Sequence, residues 1–395
     1  MNKTIIITTG GTGGHIFPAQ TIAKKLKDQG FKQMIFGDKN YAKYHKPEDG
    51  YPFNIISSSQ LGRSPIMLIK SAIKITLGII QSLLLMLKYQ PKIVIAFGGY
   101  STFPVLIAAV ILRKKIVLHE QNAHLGKVNR MFTKFASIIA LSYLETDGIG
   151  DDLQKTNPKL IFTGNPVRDE IIALSNCNYQ LPDLNQKLKE PDNLGYDVLL
   201  HSEFYNQNNQ PSPSFNILVL GGSGGARIFS DILPKAFFNL RNEIKNNLNI
   251  TMQCRSDLVL ETNAQYQSFN LNVNIKSFFN DIDQQIKKSH LIIARSGSSS
   301  LAEFSCAKKP MILIPFAAAA DNHQEKNARK VEKAGGAIVI KEQDFTINNV
   351  TGTIEKLIDN QSLLYKMSDN AFTCANLDAS SKLSTLIIDL ANATK

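Results

Sequence analysis

Short apolar runs alternate along the chain with longer stretches in which apolar residues recur every three or four positions. Residues 3–9, 31–36, 92–97, 115–118, 138–142 and 159–163 form one series of such runs, and 216–220, 250–253, 273–275, 291–294, 311–314 and 337–340 form a second. Continuous apolar runs of this length, joined by segments of helical period, predict buried parallel strands with crossover helices. Two series predict two doubly wound α/β domains. A helix is expected over 19–29, with Ile22, Ala23 and Leu26 on one face and Gly30 as its stop.

Three stretches depart from the alternation. Residues 63–89 hold more apolar side chains than one buried face requires, from Ile66 to the run 83–87. The longest uncharged run, 75–87, is 13 residues, short of the roughly 18–20 needed to span a bilayer. A helix or helix pair is expected here, lying on a surface or in a core rather than crossing. Burial between sheet and neighbouring helices is one reading. The other is a monotopic face, in which Arg63, Lys70 and Lys74 flank apolar side chains that enter a headgroup region, extended by 105–115 and its Arg113-Lys114-Lys115 end. Residues 175–214, with Pro182, Pro191, Pro211 and Pro213, have little period and read as an inserted excursion at the domain junction. The amphipathic stretch 380–393 has no strand to follow and is expected to pack back across that junction. The expected division is 1–170 for the first domain, 171–214 for the polar junction, 215–378 for the second domain and 379–395 for a C-terminal helix.

A chain of 395 residues, 43% hydrophobic and 19% charged, suits two globular domains and excludes disorder over most of its length. Cys177, Cys254, Cys306 and Cys374 form no CxxC pair and have no neighbouring His to complete a metal set, so a reducing compartment without disulfide framework or zinc site is expected. The N-terminus lacks the pattern of a secretory signal, which points to the cytoplasm. Residues 1–168 carry 22 Lys and Arg against 9 Asp and Glu, a balance of +13; residues 169–395 carry 22 against 24, a balance of −2. A basic half suits nucleic acid or an anionic membrane. No nucleic-acid-binding signature is present, whereas 63–89 gives the membrane reading a specific stretch.

The chemistry concentrates in turns that follow strands. Gly10, Gly11, Thr12, Gly13 and Gly14 precede His15, and Gly221 to Gly225 with Ser223 repeat the pattern in mid-chain. Glycines between a strand and a helix let backbone N–H groups approach a phosphate closely. His119, Glu120, Gln121 and Asn122 stand where a parallel strand ends, the place at which such sheets bind ligands. Ser298, Ser299 and Ser300 open a helix whose free N–H groups suit a phosphate. Glu303, about two turns in, can accept two ribose hydroxyls. Asp321, Asn322 and Gln324 offer the donors and acceptors that read sugar hydroxyls. No Asp-x-Asp motif is present to hold a divalent ion on a diphosphate, so neither metal nor other cofactor is required.

GGTGGHIFP at 10–18, FGGY at 97–100, HEQN at 119–122, GNPVR at 164–168, GGSGGAR at 221–227, RSGSSSLAE at 295–303 and ADNHQEKNA at 320–328 occur in the order and approximate spacing of one family. Over nearly its whole length the chain resembles the MurG family, bacterial N-acetylglucosaminyltransferases that convert lipid I to lipid II in peptidoglycan synthesis. The resemblance implies a GT-B fold: two Rossmann-like domains facing a cleft, with the C-terminal helix crossing back. It implies inverting transfer of N-acetylglucosamine from UDP-N-acetylglucosamine to undecaprenyl-diphospho-N-acetylmuramoyl-pentapeptide, giving a β-1,4 link. Implied partners are these two substrates, the anionic cytoplasmic face of the inner membrane, where the protein would sit peripherally, and other cell-wall enzymes. Nucleic acid is not among them.

By the same resemblance Ser223 and its loop, with Arg168, would contact the donor diphosphate, and Phe279, beside Phe278, would lie by uracil. Glu303 would bind ribose, Ser298, Ser299 and Ser300 would supply helix-start contacts, and His323 and Gln324 would read the sugar. Gly10, Gly11, Thr12, Gly13 and Gly14 would hold the acceptor diphosphate, with Thr12, Gly13, Gly14 and Asn122 also reaching the donor. His15 would be the general base, its reference pKa near 6.5 suiting neutral pH, and Glu120 is its rival. Gly224 stands where the family usually has Gln. A nucleotide-sugar epimerase, a GT-B enzyme with another acceptor, and a non-catalytic nucleotide-sugar binder or scaffold are the competing functions.

Overall fold

The computed structural model describes residues 4–45, 50–60, 64–149, 159–182, 214–222 and 224–393. The expectation for Ser223, and most of that for the polar junction, lie outside the described residues.

The first series of six apolar runs forms β1 (Thr4–Thr9), β2 (Lys32–Gly37), β4 (Ile93–Ala96), β5 (Lys115–Glu120), β6 (Ile138–Leu141) and β7 (Leu160–Phe162), and a short edge strand that the series did not include, β3 (Phe53–Ile55), joins them. They pair in parallel in the order β3-β2-β1-β4-β5-β6-β7. The second series forms β8 (Phe215–Leu220), β9 (Leu248–Gln253), β10 (Val273–Lys276), β11 (Leu291–Ala294), β12 (Met311–Leu313) and β13 (Ala337–Val339), in the order β10-β9-β8-β11-β12-β13. Strand order reverses between β1 and β4 and again between β8 and β11, so each sheet has a crevice at the carboxyl ends of its central strands.

Alternate residues of the central strands bury on opposite faces. Ile5, Ile7, Ile93 and Ile95 pack with Ile16, Ile22 and Leu26 of helix α1 (Gly13–Asp28), whereas Ile6, Val94 and Ala96 pack with Val105, Leu106 and Met86. Helix α1 starts six residues before the expected helix, because the glycine turn is itself its first turn. The stretch 63–89 forms one continuous helix, α2 (Pro65–Tyr89), with Ser64 accepting from Met67 N at 3.4 Å as N-cap and Pro65 in the first turn.

Helix α2 buries the opposite of what its composition suggests. Its inward stripe is Ser71, Gly78, Ser82 and Met86. Ser71 Oγ donates to Gln60 O at 2.8 Å and Gln81 Oε1 accepts from Ser57 N at 2.9 Å, while any Cβ at Gly78 would collide with the carbonyl of Ser57. Small residues let the helix lie close against residues 57–60 and helix α3 (Phe103–Ile111). The apolar side chains therefore point outward, with Ile69 62%, Leu77 50%, Ile80 49% and Leu84 63% exposed. Its 18-residue window of highest mean hydropathy, 1.6, is only 17% buried, and by length and composition alone it could cross a membrane. The buried-helix reading of 63–89 does not hold.

After β5 come α4 (Lys127–Phe132) and, in the second domain, α5 (Ser298–Cys306) and α6 (His323–Ala334). The last helix, α7 (Ala379–Asn392), returns to the first domain, where Leu383, Ile387 and Ala391 join the core beside α1. Lys115 Nζ donates to the carbonyls of Leu390 at 2.9 Å and Ala393 at 3.0 Å, and Lys92 Nζ to that of Ala391 at 3.1 Å. Two ammonium groups thus satisfy carbonyls that the end of a helix leaves without partners.

Candidate active site

The turn between β1 and α1 is pinned from behind by Asp38, at the carboxyl end of β2 and 6% exposed. Its Oδ2 accepts from Gly11 N at 3.0 Å, and its Oδ1 from Asn40 N at 3.0 Å and Tyr41 N at 3.1 Å. A Cβ at Gly10 would stand 2.5 Å from Ser101 Oγ and 2.8 Å from the Asp38 carboxyl, so only glycine fits there. Thr12 N donates back to Gly10 O at 3.1 Å. Of the five loop N–H groups proposed to face a diphosphate, those of Gly11 and Thr12 are thus engaged. Those of Gly13 and Gly14 stand in the first turn of α1, where a helix leaves its donors without intrahelical partners. Pro18 has a related effect on the Gly14 carbonyl. Lacking an N–H, Pro18 cannot bond to Gly14 O four residues back, and that oxygen accepts from Ser299 Oγ of α5 at 2.6 Å instead. The carbonyl that Pro18 leaves without a helical partner becomes a contact between the two domains.

His15 follows directly. Its ring lies against the Gly98–Gly99 turn, where a Cβ on Gly98 would approach Cε1 to 3.4 Å and one on Gly99 would approach Cδ2 to 3.5 Å. Both glycines have positive φ, 79° and 85°, so a side chain at either would strain the turn and crowd the ring. His15 Nδ1 lies 3.1 Å from Gln121 Oε1. Burial lowers the His15 pKa below its ordinary value, and the Glu120 carboxylate and the Gln121 hydrogen bond oppose that shift. The first turn of a helix also disfavours a cation. Glu120 itself accepts from Gly126 N at 2.9 Å, Asn129 Nδ2 at 2.8 Å, and Asn122 N and Nδ2 at 3.0 and 3.1 Å. These bonds fold the 120–126 loop and commit its lone pairs.

A neutral His15 is the form able to take a proton, and its lowered pKa keeps it neutral through the physiological range. The acid limb of kcat/KM is therefore expected below pH 6.5, the reference value for His. Glu120→Gln removes the charge that favours protonated His15, so the limb should move to lower pH. A limb that moves up instead excludes His15 as its source.

Across from His15 the carboxyl ends of the second sheet close a cavity of about 670 Å³. Gly13, Gly14, Ser299, Ser300, Glu303 and Arg168 are among the residues that line it, as are Gly222, Phe278 and Phe279. Glu303 Oε1 accepts from Arg168 Nε at 2.9 Å and Nη2 at 2.7 Å, leaving Oε2 outside this pair. Burial raises the Glu303 pKa, opposed by Arg168. The Arg168 guanidinium also lies 5.1 Å over the Phe17 ring. Phe279 is 4% exposed, whereas Phe278 is 46% exposed and meets Tyr44 of the first domain at 6.1 Å between centroids. Phe278 is thus the freer of the two rings. A Cβ at Gly224 would meet nothing within 4 Å, and its φ is not in the left-handed region. The backbone does not require glycine there; the departure from Gln simply removes a side chain.

The remaining candidates lie beyond this cavity, on the His15 side. His323 is near enough for its charge to oppose protonation of His15, and its Nδ1 lies 2.7 Å from Ala320 O. Gln324 Oε1 accepts from Phe316 N at 3.0 Å. Asn122 Oδ1 accepts from Asn327 Nδ2 at 3.1 Å, and Asn327 Oδ1 accepts from Ala123 N at 2.8 Å. Ser298 turns away from the larger cavity: its Oγ bonds to Gln121 O and Tyr143 OH and lines a second cavity of about 350 Å³. Arg295, 9% exposed, supports the 315–320 loop through Ile314 O at 3.1 Å and the Glu342 carboxylate, which accepts from Ala317 N at 3.0 Å. Sequence reasoning did not single out Asp38, Asn327 or Arg295. For Asp38 a signal existed, since dinucleotide-binding folds carry an acidic residue after the second strand, there for a ribose hydroxyl; here it takes the N–H of Gly11 instead.

Residues 5–141 match the Glycosyltransferase family 28 N-terminal domain and residues 216–383 the Glycosyltransferase family 28 C-terminal domain. A protein of Rhodospirillum centenum is 30% identical over 98% of this chain and 94% of its own length. One of Wolbachia pipientis subsp. Culex pipiens is 32% identical over 93% of each. Both are named UDP-N-acetylglucosamine–N-acetylmuramyl-(pentapeptide) pyrophosphoryl-undecaprenol N-acetylglucosamine transferase. The crystal structure of Acinetobacter baumannii MurG superposes with a TM-score of 0.68 at 23% identity, covering 98% of this chain and 99% of that one. A UDP-GlcNAc 2-epimerase from Neisseria meningitidis does so with a TM-score of 0.64 at 14% identity, covering 98% and 100%. At these identities the two structures speak for the fold alone.

Proposed function

Because the chain belongs to glycosyltransferase family 28 and, within it, to the MurG family of UDP-N-acetylglucosamine-dependent transferases, we propose how its site transfers N-acetylglucosamine to the muramyl-pentapeptide pyrophosphoryl-undecaprenol acceptor. The observation that carries the reading is the position of His15. It follows Gly13 and Gly14, which line the cavity, in the first turn of the same helix.

UDP-N-acetylglucosamine occupies the cavity with its nucleoside towards Phe278 and Glu303 and its diphosphate at the starts of α1 and α5. The sugar extends towards His323 and Gln324. The acceptor hydroxyl attacks the anomeric carbon from the face opposite UDP and its proton passes to His15. The carbon–oxygen bond to the diphosphate breaks, and UDP leaves with that electron pair. A single displacement of this kind inverts the anomeric centre. The helix N-termini and Arg168 stabilise the charge that develops on UDP. The test is transfer of radiolabelled sugar from UDP-N-acetylglucosamine to a short-chain lipid I analogue; a folded protein that binds the donor but transfers nothing is a binder or takes another acceptor.

We further propose that the outward face of α2 holds the enzyme peripherally on the cytoplasmic membrane, where the acceptor lies. A 25-residue helix that exposes Ile69, Ile73, Leu77, Ile80 and Leu84 on a domain of net charge +13, counted over residues 1–168, favours an anionic lipid surface. Because Leu77, Ile80 and Leu84 do not belong to the core, changing all three to Ser should release the protein from anionic liposomes and leave its thermal unfolding nearly unchanged. Unaltered partitioning would remove α2 from the membrane contact.

A further inference from the structure

Residues of three motifs, none of them given a role in the chemistry so far, converge behind His15. Phe97 comes from the FGGY turn, His119 and Gln121 from HEQN, and Gly164 from GNPVR. His119 is wholly buried and Gln121 is 2% exposed. Gln121 Nε2 lies 2.9 Å from Phe97 O and 3.1 Å from His119 Nδ1, while its Oε1 lies 3.1 Å from His15 Nδ1. His119 Nε2 lies 3.2 Å from Gly164 O.

Only one arrangement of protons satisfies these contacts, because both ends are backbone carbonyls and a carbonyl can only accept. Gly164 O requires the proton of His119 to sit on Nε2. Burial lowers the pKa of His119 to about 4, so its ring is neutral and Nδ1 carries a lone pair. Phe97 O requires the end of Gln121 that faces it to be the NH2 group, whose second hydrogen then meets that lone pair. Gln121 Oε1 is thereby turned towards His15 and accepts from Nδ1–H. A neutral imidazole with its proton on Nδ1 has its lone pair on Nε2.

We propose that His119 and Gln121 are positioning residues that hold His15 in the Nδ1–H tautomer, so that Nε2 presents its lone pair to the acceptor hydroxyl. The proposal rests on the assignment of His15 as general base and explains why a buried histidine and a buried amide stand behind it. It also accounts for the two glycines at 98 and 99: a Cβ at either would crowd the ring that brings Nδ1 to Gln121.

The decisive measurement is the tautomer itself, read from two-bond proton–nitrogen correlations in full-length enzyme labelled with 15N-histidine, at a pH where the ring is neutral. His15→Ala identifies the signal by its loss. The expected result is a single Nδ1–H form for His15 and a single Nε2–H form for His119. A wild-type His15 that carries its proton on Nε2, or exchanges between both forms, overturns the proposal without any variant of the relay having to fold. Gln121→Leu should release His15 into a mixture of tautomers and lower kcat by about 10- to 100-fold, less than the roughly 10²–10⁴-fold that a general base supplies, with KM for UDP-N-acetylglucosamine little changed. Gln121→Glu keeps an acceptor towards Nδ1 and should restore the Nδ1–H form of His15. Its second carboxylate oxygen faces the Phe97 carbonyl and the His119 lone pair, so kcat should recover only in part. Loss of kcat in Gln121→Leu with the tautomer intact assigns Gln121 to loop packing and overturns the relay. An unchanged kcat in His15→Ala removes the base assignment instead, whatever the wild-type spectrum shows of the wiring.

Discussion

Replacing His15 with Ala is expected to lower kcat by roughly 10²–10⁴-fold, the usual contribution of a positioned general base, while the affinity for UDP-N-acetylglucosamine stays near that of the wild type. The split between kcat and binding follows from where the groups lie. On the proposed placement the donor would be held by the cavity residues of the second domain and by the N–H groups of Gly13 and Gly14, and His15 is not among the residues that line that cavity. The His15 side chain points instead to Gln121 and the Gly98–Gly99 turn, so its removal takes away the proton acceptor and leaves the donor contacts. Glu120 is poorly placed to substitute. Its two oxygens already accept four hydrogen bonds from the 120–129 segment, and it is 2% exposed. A variant that transfers sugar at the wild-type rate would pass the role to another group. One that binds the donor normally and has lost turnover places His15 in the chemistry. A non-catalytic binder would show no change of either kind.

The sheets were legible because their strands are continuous runs of Ile, Val and Leu bounded by glycine turns, a signal that needs no tertiary context. What the chain concealed lies where tertiary contacts override local preference. Glycine is a poor helix former, so nothing local places the start of α1 at Gly13; the Asp38 anchor and the first-domain core do that. In α2 the packing face is Ser71, Gly78 and Ser82 and the solvent face is Ile and Leu. Counting apolar residues therefore gives the right helix and the wrong inner side, because close approach to Ser57 selects small residues there.

The site was legible as a set of motifs but not as an arrangement. Adjacent positions such as Phe278 and Phe279 differ in which way the side chain faces, and sequence does not rank them; the structure leaves Phe278 open and buries Phe279. Ser298, Ser299 and Ser300 open one helix, yet Ser298 turns to Gln121 and Tyr143 while Ser299 reaches Gly14 across the junction. Those pairings need both domains in place. The HEQN segment shows the same limit. Its four residues divide into a loop anchor, Glu120, a contact to the second domain, Asn122, and two side chains wired to His15 through carbonyls 24 and 45 positions away in sequence.

Glu303→Ala is expected to weaken UDP-N-acetylglucosamine binding by roughly 5- to 150-fold, equivalent to about 1–3 kcal/mol for the loss of hydrogen bonds to a charged group. Two effects add. The variant removes the acceptor that would read the ribose hydroxyls, and it leaves the largely buried Arg168 guanidinium without the oxygen that takes both Nε and Nη2. Glu303→Gln separates them: the amide keeps its oxygen for Arg168 and offers the ribose hydroxyls an NH2 donor in place of the charged acceptor, so its affinity should fall between wild type and Glu303→Ala. Because burial raises the Glu303 pKa, wild-type affinity should decline as pH falls while still above the ordinary carboxylate range, and this decline should vanish in Glu303→Gln. Calorimetric titration with UDP-N-acetylglucosamine across pH reads both quantities. Unchanged affinity in Glu303→Ala would mean that the nucleoside lies elsewhere in the 670 Å³ cavity and that the Arg168–Glu303 pair only joins the two domains.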